Sequence, residues 1–141
     1  PIDYDRHKLY GECVWEEICK FNLSEEIKKN KNKIGVIFNT HPHYKSGEHW
    51  ISMFINIKKK YIIYFDSNGN EPPSEVNKFV DTIISQGKQS GIDFHYYKNT
   101  IEHQETESEC GMYCLYFIVE MLKDRSPTYF LKNKIYEKIY K

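Results

Sequence analysis

Four residues of this chain have the types and the order that thiol chemistry needs: His49, Asp66, Gln104 and Cys110. A cysteine attacks as its thiolate, and a free thiol has a pKa of about 8.5, so a working site must favour the anion. Cys110 opens the stretch Cys110 to Val119, which reads as a loop turning abruptly into a buried helix. A sulfur there faces the unpaired N–H groups of a helix N-terminus, which favour negative charge. His49 stands at the start of one strand and suits a general base. Asp66 ends the next strand and suits the group that orients the imidazole and stabilises its charged form. Gln104 precedes the cysteine by six residues. Its side-chain N–H and the backbone N–H of Cys110 form an oxyanion-stabilising pair, and losing one such donor typically costs about 3 kcal/mol.

Three neighbours complete the candidate site. Gly111 has no Cβ, so substrate and backbone can approach closely beside the nucleophile. Trp50 follows His49 and either packs beside the imidazole or walls a substrate channel. Cys114 lies one helical turn beyond Cys110 and reads as a small apolar filler beneath it. Taken singly, each residue has an ordinary structural reading: a buried thiol, a strand-end histidine, a turn aspartate, a loop amide. Their joint order and placement carry the functional reading.

The elements that must position these groups follow from periodicity. Tyr10 to Cys19 suits a short helix with Val14, Trp15 and Ile18 on one face. Residues 22–26 suit a helix start, with Ser24 as cap. Ile34 to Asn39 is a compact apolar run, most simply a buried strand. Residues 40–47 have loop composition. His49 to Ile57 and Tyr61 to Phe65 alternate and are rich in β-formers, so they predict an antiparallel hairpin. Seventeen residues separate His49 from Asp66, with a five-residue turn region, Asn56 to Lys60, between them. That spacing brings both residues to one end of the sheet. Residues 66–70 have turn chemistry. Val76, Phe79, Val80, Ile83 and Ile84 share one helical face, and Gly87 to Gly91 closes that helix. Ile92 to Tyr97 predicts another strand, and residues 98–109 a polar loop. Cys110 to Leu122 predicts a core helix, apolar all round in its middle, broken by Arg125-Ser126-Pro127. Tyr129 to Tyr140 predicts a final helix with Phe130, Ile135 and Ile139 inward. Helices set apart from a small, mostly antiparallel sheet make an α+β fold.

With these residues in view, the chain resembles the Ulp1/adenain-type (clan CE) cysteine peptidases. These include SUMO proteases, some bacterial deubiquitinases and processing proteases of large DNA viruses. Gly47-Glu48-His49-Trp50 is similar to the family's histidine segment. Tyr64-Phe65-Asp66-Ser67 is similar to its aspartate segment, and Gln104 through Cys110-Gly111-x-Tyr113-Cys114 to its glutamine and nucleophile segment. The resemblance spans residues 34–122. It implies a papain-like cysteine protease core in the permuted order His, Asp, Gln, Cys. His49 is then the base, Asp66 its orienter, Gln104 an oxyanion donor and Cys110 the nucleophile. It also implies cleavage after glycine, often Gly-Gly, through a narrow aromatic channel holding a small residue beside Trp50 and Trp15. The implied substrate is ubiquitin, a SUMO-like modifier or a viral polyprotein, and the implied chemistry uses no cofactor and no metal. Residues 68–73 look more like the viral processing enzymes than the eukaryotic SUMO proteases. The departure is at the N-terminus. Family members usually carry a longer, substrate-binding region before the histidine, so specificity elements are expected to be minimal and an activating partner is expected.

Size and composition set the remaining bounds. The chain has 141 residues, of which 40% are apolar and 28% charged, as one soluble globular domain would have. The expected organisation is a single peptidase domain: an N-terminal helical part over 1–33, a catalytic core over 34–122 and a C-terminal helix over 123–141. Lys plus Arg and Asp plus Glu both total 20, so the formal charge is zero and gives no nucleic-acid footprint. No apolar run reaches membrane-spanning length, and the first residues do not resemble a signal peptide. The chain begins with Pro1 rather than Met, as a processed product or excised domain would. The four cysteines do not demand an oxidising compartment. A reducing setting is therefore expected, in the host cytoplasm, the nucleus or a virion. Three other readings of the residues stay open: an acyltransferase using the same apparatus, a non-catalytic module that binds a ubiquitin-like protein, and a zinc domain built on Cys13, Cys19, His41 and His43. The last has loose spacings for a structural zinc site.

Overall fold

Four strands packed between two layers of helix form the body of the computed structural model, which describes residues 8–9, 12–13, 20–39, 50–100 and 110–132. A short antiparallel pair, β1 (Lys8–Leu9) and β2 (Glu12–Cys13), comes first. Then follow α1 (Leu23–Lys28), β3 (Lys33–Asn39), β4 (Trp50–Asn56), β5 (Tyr61–Phe65), α2 (Ser74–Gln89), β6 (His95–Lys98), α3 (Cys110–Leu122) and α4 (Thr128–Lys132). The sheet order is β3-β4-β5-β6. The β3–β4 and β4–β5 pairs are antiparallel, and β5–β6 is parallel. A parallel pair needs a crossover connection, and α2 supplies it.

The central strands alternate in sequence but not in exposure. Every residue of β5, and all of β4 after Trp50, is buried. The reason is that both faces of the sheet are covered, as in parallel α/β sheets. On one face Ile51, Met53, Ile55, Ile62 and Tyr64 meet Val76, Phe79, Val80 and Ile83 of α2. On the other, Phe54, Tyr61, Ile63 and Phe65 meet Tyr113, Phe117 and Met121 of α3 and Phe130 of α4. The α+β class and the largely antiparallel sheet agree with expectation.

Several local expectations need correction. Glu12–Cys13 is extended and paired with Lys8–Leu9, so the helix expected from Tyr10 does not begin there. The remainder of that segment, with Val14, Trp15 and Ile18, lies outside the described residues. The cap of α1 is Asn22, whose side chain accepts from the Glu25 N–H at 3.2 Å. Ser24 instead donates to the Asn22 Oδ1 at 2.8 Å. The close of α2 does fall within Gly87 to Gly91, as expected, with Gln89 its last residue; Gly87 itself is buried in the last turn, where the Phe94 ring packs so tightly that a Cβ would sit 2.7 Å away. Gly91, at φ 77°, makes the exit. β6 starts at His95 rather than Ile92.

α3 has the predicted bounds and its middle is apolar all round, as expected, but only one side of it is buried. Met112, Leu115, Val119 and Leu122 form an exposed stripe, while Tyr113, Cys114, Phe117 and Met121 face the sheet. In α4, Phe130 is fully buried as expected. Ile135 and Ile139 lie outside the described residues. Among the described residues, no helix is long and apolar enough to cross a membrane.

Candidate active site

The direction of α3 decides where Cys110 lies. At its C-terminal end the Leu122 carbonyl accepts from Lys33 Nζ at 3.1 Å, and Asp124 pairs with Lys33 and Lys59 at 2.9 and 3.5 Å. Lys33 pairs with Asn56 in the sheet, and Lys59 lies in the β4–β5 turn. The C-terminal end of α3 therefore sits over the turn end of the hairpin. Its 13 residues rise about 18 Å toward the opposite end. At that end β3 finishes, β4 begins with Trp50 opposite Asn39, and β5 runs into Asp66. Phe65 stacking on Phe117 confirms this direction of travel. Cys110, the first residue of α3, thus shares one end of the sheet with Trp50 and Asp66. The first turn of α3 holds no acidic residue to offset its N-terminal dipole. Gly111 is the second residue of the same helix.

Asp66 is 3% exposed and is held on several sides. Its carbonyl accepts from the Gly69 N–H at 2.8 Å, closing a turn that Gly69 permits with φ 75°. Its Oδ1 accepts from the Asn68 N–H at 2.8 Å, so one carboxylate oxygen is fixed locally. Its backbone N–H donates to Asn99 Oδ1, and its carbonyl accepts from Asn99 Nδ2, both at 2.7 Å. Asn99 is 1% exposed and directly follows β6. The sequence expectation places it in a polar loop. The one available signal was an asparagine directly after a strand end.

Trp50 is half-buried at the start of β4 and, by the pleat, points to the same side as Phe54 and α3. Cys114 is 1% exposed, as a filler beneath the helix start would be. His49, Gln104 and Trp15 lie outside the described residues. His49 is joined to Trp50 by one peptide bond. Among the described residues no cluster of three or more His, Cys, Asp or Glu could hold a metal. His41, His43 and Cys19 lie outside them.

A carboxylate directly after a strand and a cysteine opening a helix, in the order Asp then Cys, thus lie at one end of the sheet. Residues 19–141 match the model of the Ulp1 protease family, C-terminal catalytic domain, and the chain belongs to that family. Among curated proteins it is similar to the SUMO-1 cysteine protease of African swine fever virus, 32% identical over 123 residues, which are 82% of this chain. The chain spans 44% of that protein's own length. A crystal structure of the African swine fever virus protease superposes with a TM-score of 0.76 at 26% identity, covering 89% of this chain and 53% of that one. The yeast Ulp1 protease domain, solved with the SUMO ortholog SMT3, shares the fold with a TM-score of 0.60 at 19% identity. That match covers 97% of this chain and 59% of the other. The effector Cdu1 of Chlamydia trachomatis, solved with ubiquitin, shares it with a TM-score of 0.53 at 20% identity, over 86% and 62%. The higher score of the viral structure agrees with the expectation drawn from residues 68–73.

Proposed function

We propose that this chain carries the catalytic core of a thiol protease that cleaves after glycine, at Gly-Gly-type sites, in a ubiquitin-like modifier or a viral polyprotein. One observation carries the reading: Cys110 at the start of α3, Asp66 at the end of β5 and the residue following His49 gather at one end of a single sheet. The Cys110 thiolate attacks the glycine carbonyl while His49, oriented by Asp66, holds the proton. Gln104 and the Cys110 backbone N–H stabilise the tetrahedral oxyanion. His49 then gives its proton to the leaving amine, and water, activated by His49, hydrolyses the thioester. Gly111, Trp50 and Trp15 restrict the channel to a residue without a side chain. The proposed setting is a reducing one, in the infected cell or the virion, where Cys110 stays a thiol. Its viral relatives support that setting.

The test uses ubiquitin, a SUMO and a Gly-Gly peptide, each with a cysteine-reactive C-terminus, read by intact mass. A Cys110-dependent adduct with ubiquitin or SUMO, lost in Cys110→Ala and slowed in His49→Ala, identifies a hydrolase of that modifier. Labelling by the peptide alone points to polyprotein processing. Absence of adduct from every probe on a folded protein overturns the proposal.

A further inference from the structure

The Asp66–Asn99 contact extends beyond ordinary strand pairing. The β5–β6 ladder ends with Tyr64 opposite Lys98, and the Asn99 N–H still reaches the Tyr64 carbonyl at 3.3 Å. One residue further, the main chain of β6 no longer follows β5. The Asn99 side chain takes over there. An extended residue presents its own N–H and C=O to the same edge. A primary amide can meet both at once, because it carries an acceptor and a donor on one planar group. Asn99 does so with two 2.7 Å bonds, at the short end of the range for such bonds. The sheet thus gains one more rung, made by a side chain, under the residue that carries the carboxylate. The Asn68 N–H fixes the carboxylate itself through Oδ1.

We propose that Asn99 is a positioning residue for the catalytic carboxylate: it locks the Asp66 backbone so that the side chain keeps a single aim toward the imidazole. This rests on the reading of Asp66 and Cys110 given above. Alanine at 99 leaves two buried backbone groups of Asp66 without these partners, and water or a shifted turn must replace them. The carboxylate then wanders, the imidazolium loses part of its stabilisation, and the Cys110 thiolate loses part of its counter-charge.

The measurement is the rate of Cys110 alkylation by iodoacetamide against pH, followed by peptide mass mapping so that other cysteines are scored apart. Turnover of a peptidyl-Gly-Gly-aminomethylcoumarin and thermal melting are read alongside. Asn99→Ala should slow alkylation at pH 6 about tenfold, equivalent to one unit in the apparent titration of the pair, while leaving the rate at pH 9 close to that of the parent. Asp66→Asn should do the same, and Asp66→Asn combined with Asn99→Ala should add little to Asp66→Asn alone. Asn99→Ser, which can make one of the two bonds, should fall between and serves if Asn99→Ala does not fold. A lower melting temperature with an unchanged Cys110 profile, or additive effects in the double variant, would make Asn99 merely structural and overturn the proposal. An unchanged profile in Asp66→Asn itself would instead sink the assignment of Asp66, and this proposal with it.

Discussion

Phe65 and Phe117 stack with ring centroids 4.8 Å apart and planes 9° from parallel, joining the strand that runs into Asp66 to the helix that begins at Cys110. Phe130 closes the cluster edge-on to both, at 5.3 and 4.9 Å. All three rings are essentially inaccessible to solvent. Asp66 and Cys110 are therefore referenced to one aromatic cluster rather than to two independent loops.

Truncating that cluster should cost both stability and alignment. Phe117→Ala is expected to destabilise the fold by about 3–5 kcal/mol, as large-to-small changes at buried aromatics do. Urea unfolding would show the midpoint fall at a similar slope. Phe117→Leu should cost less, and its turnover per folded molecule should still drop, because the relation of β5 to α3 shifts.

Gly87 tests how closely α2 may approach the segment leading to β6. A Cβ there would sit 2.7 Å from two atoms of the Phe94 ring and 3.0 Å from the Ile92 carbonyl oxygen. Overpacking of this kind costs about 1–3 kcal/mol, and better helix propensity returns about 1 kcal/mol. Gly87→Ala should therefore lose about 1 kcal/mol net, and Gly87→Val more, as read by thermal melting.

Alkaline pH should destabilise the protein through its half-buried phenols. Burial first, then the negative charges of Glu71 and Asp81, pushes the Tyr96 hydroxyl well above its ordinary value of 10.0. Tyr116 is raised by burial and by its hydrogen bond with Tyr129. A group raised in the folded state contributes stability below its unfolded value, and that contribution is lost as pH climbs above it. Stability should thus fall from about pH 10 upward, and Tyr96→Phe should make the fall shallower in denaturant titrations at pH 9 to 11.

The Lys33–Asp124–Lys59 cluster should respond to acid and salt. The hydrogen bond from Lys33 comes first, and the charges of Lys33 and Lys59 add to it in holding the Asp124 carboxyl below its ordinary 3.8. A lowered carboxyl contributes above its unfolded value and is lost as pH falls through its folded one. Because Asp124 is exposed, salt screens the contribution. The melting temperature of Asp124→Asn should differ from the parent at pH 7 in low salt. It should match the parent at pH 2 or in 1 M salt.

The elements that position Asp66 and Cys110 were legible because their signals are local. Cys110 to Leu122 has a helical run that stops at Arg125-Ser126-Pro127, and Asp66-Ser67-Asn68-Gly69 is turn chemistry after a β-rich strand. The misreadings arise where a neighbour decides. The alternation of β4 suggests a half-exposed strand, yet helices cover both faces. Leu115 and Val119 look like core but lie on the outer side of α3. Asn99 was missed because its partner is 33 residues away in the chain, and no local pattern marks such a pair.

That distance has a further consequence, for the order in which the molecule comes together. Hairpin β4–β5 can form early from contacts close in sequence, but β6 reaches β5 only after α2 has crossed the sheet and docked. Closing that long segment costs entropy before its contacts return any. The anchor beneath Asp66 is therefore among the last parts of the sheet to form. A nascent or partly unfolded chain would hold the hairpin and its aspartate without the rung that fixes them, so the fixing of Asp66 trails behind compaction. Amide exchange at Asp66 should accordingly follow the opening of β6 rather than that of the hairpin.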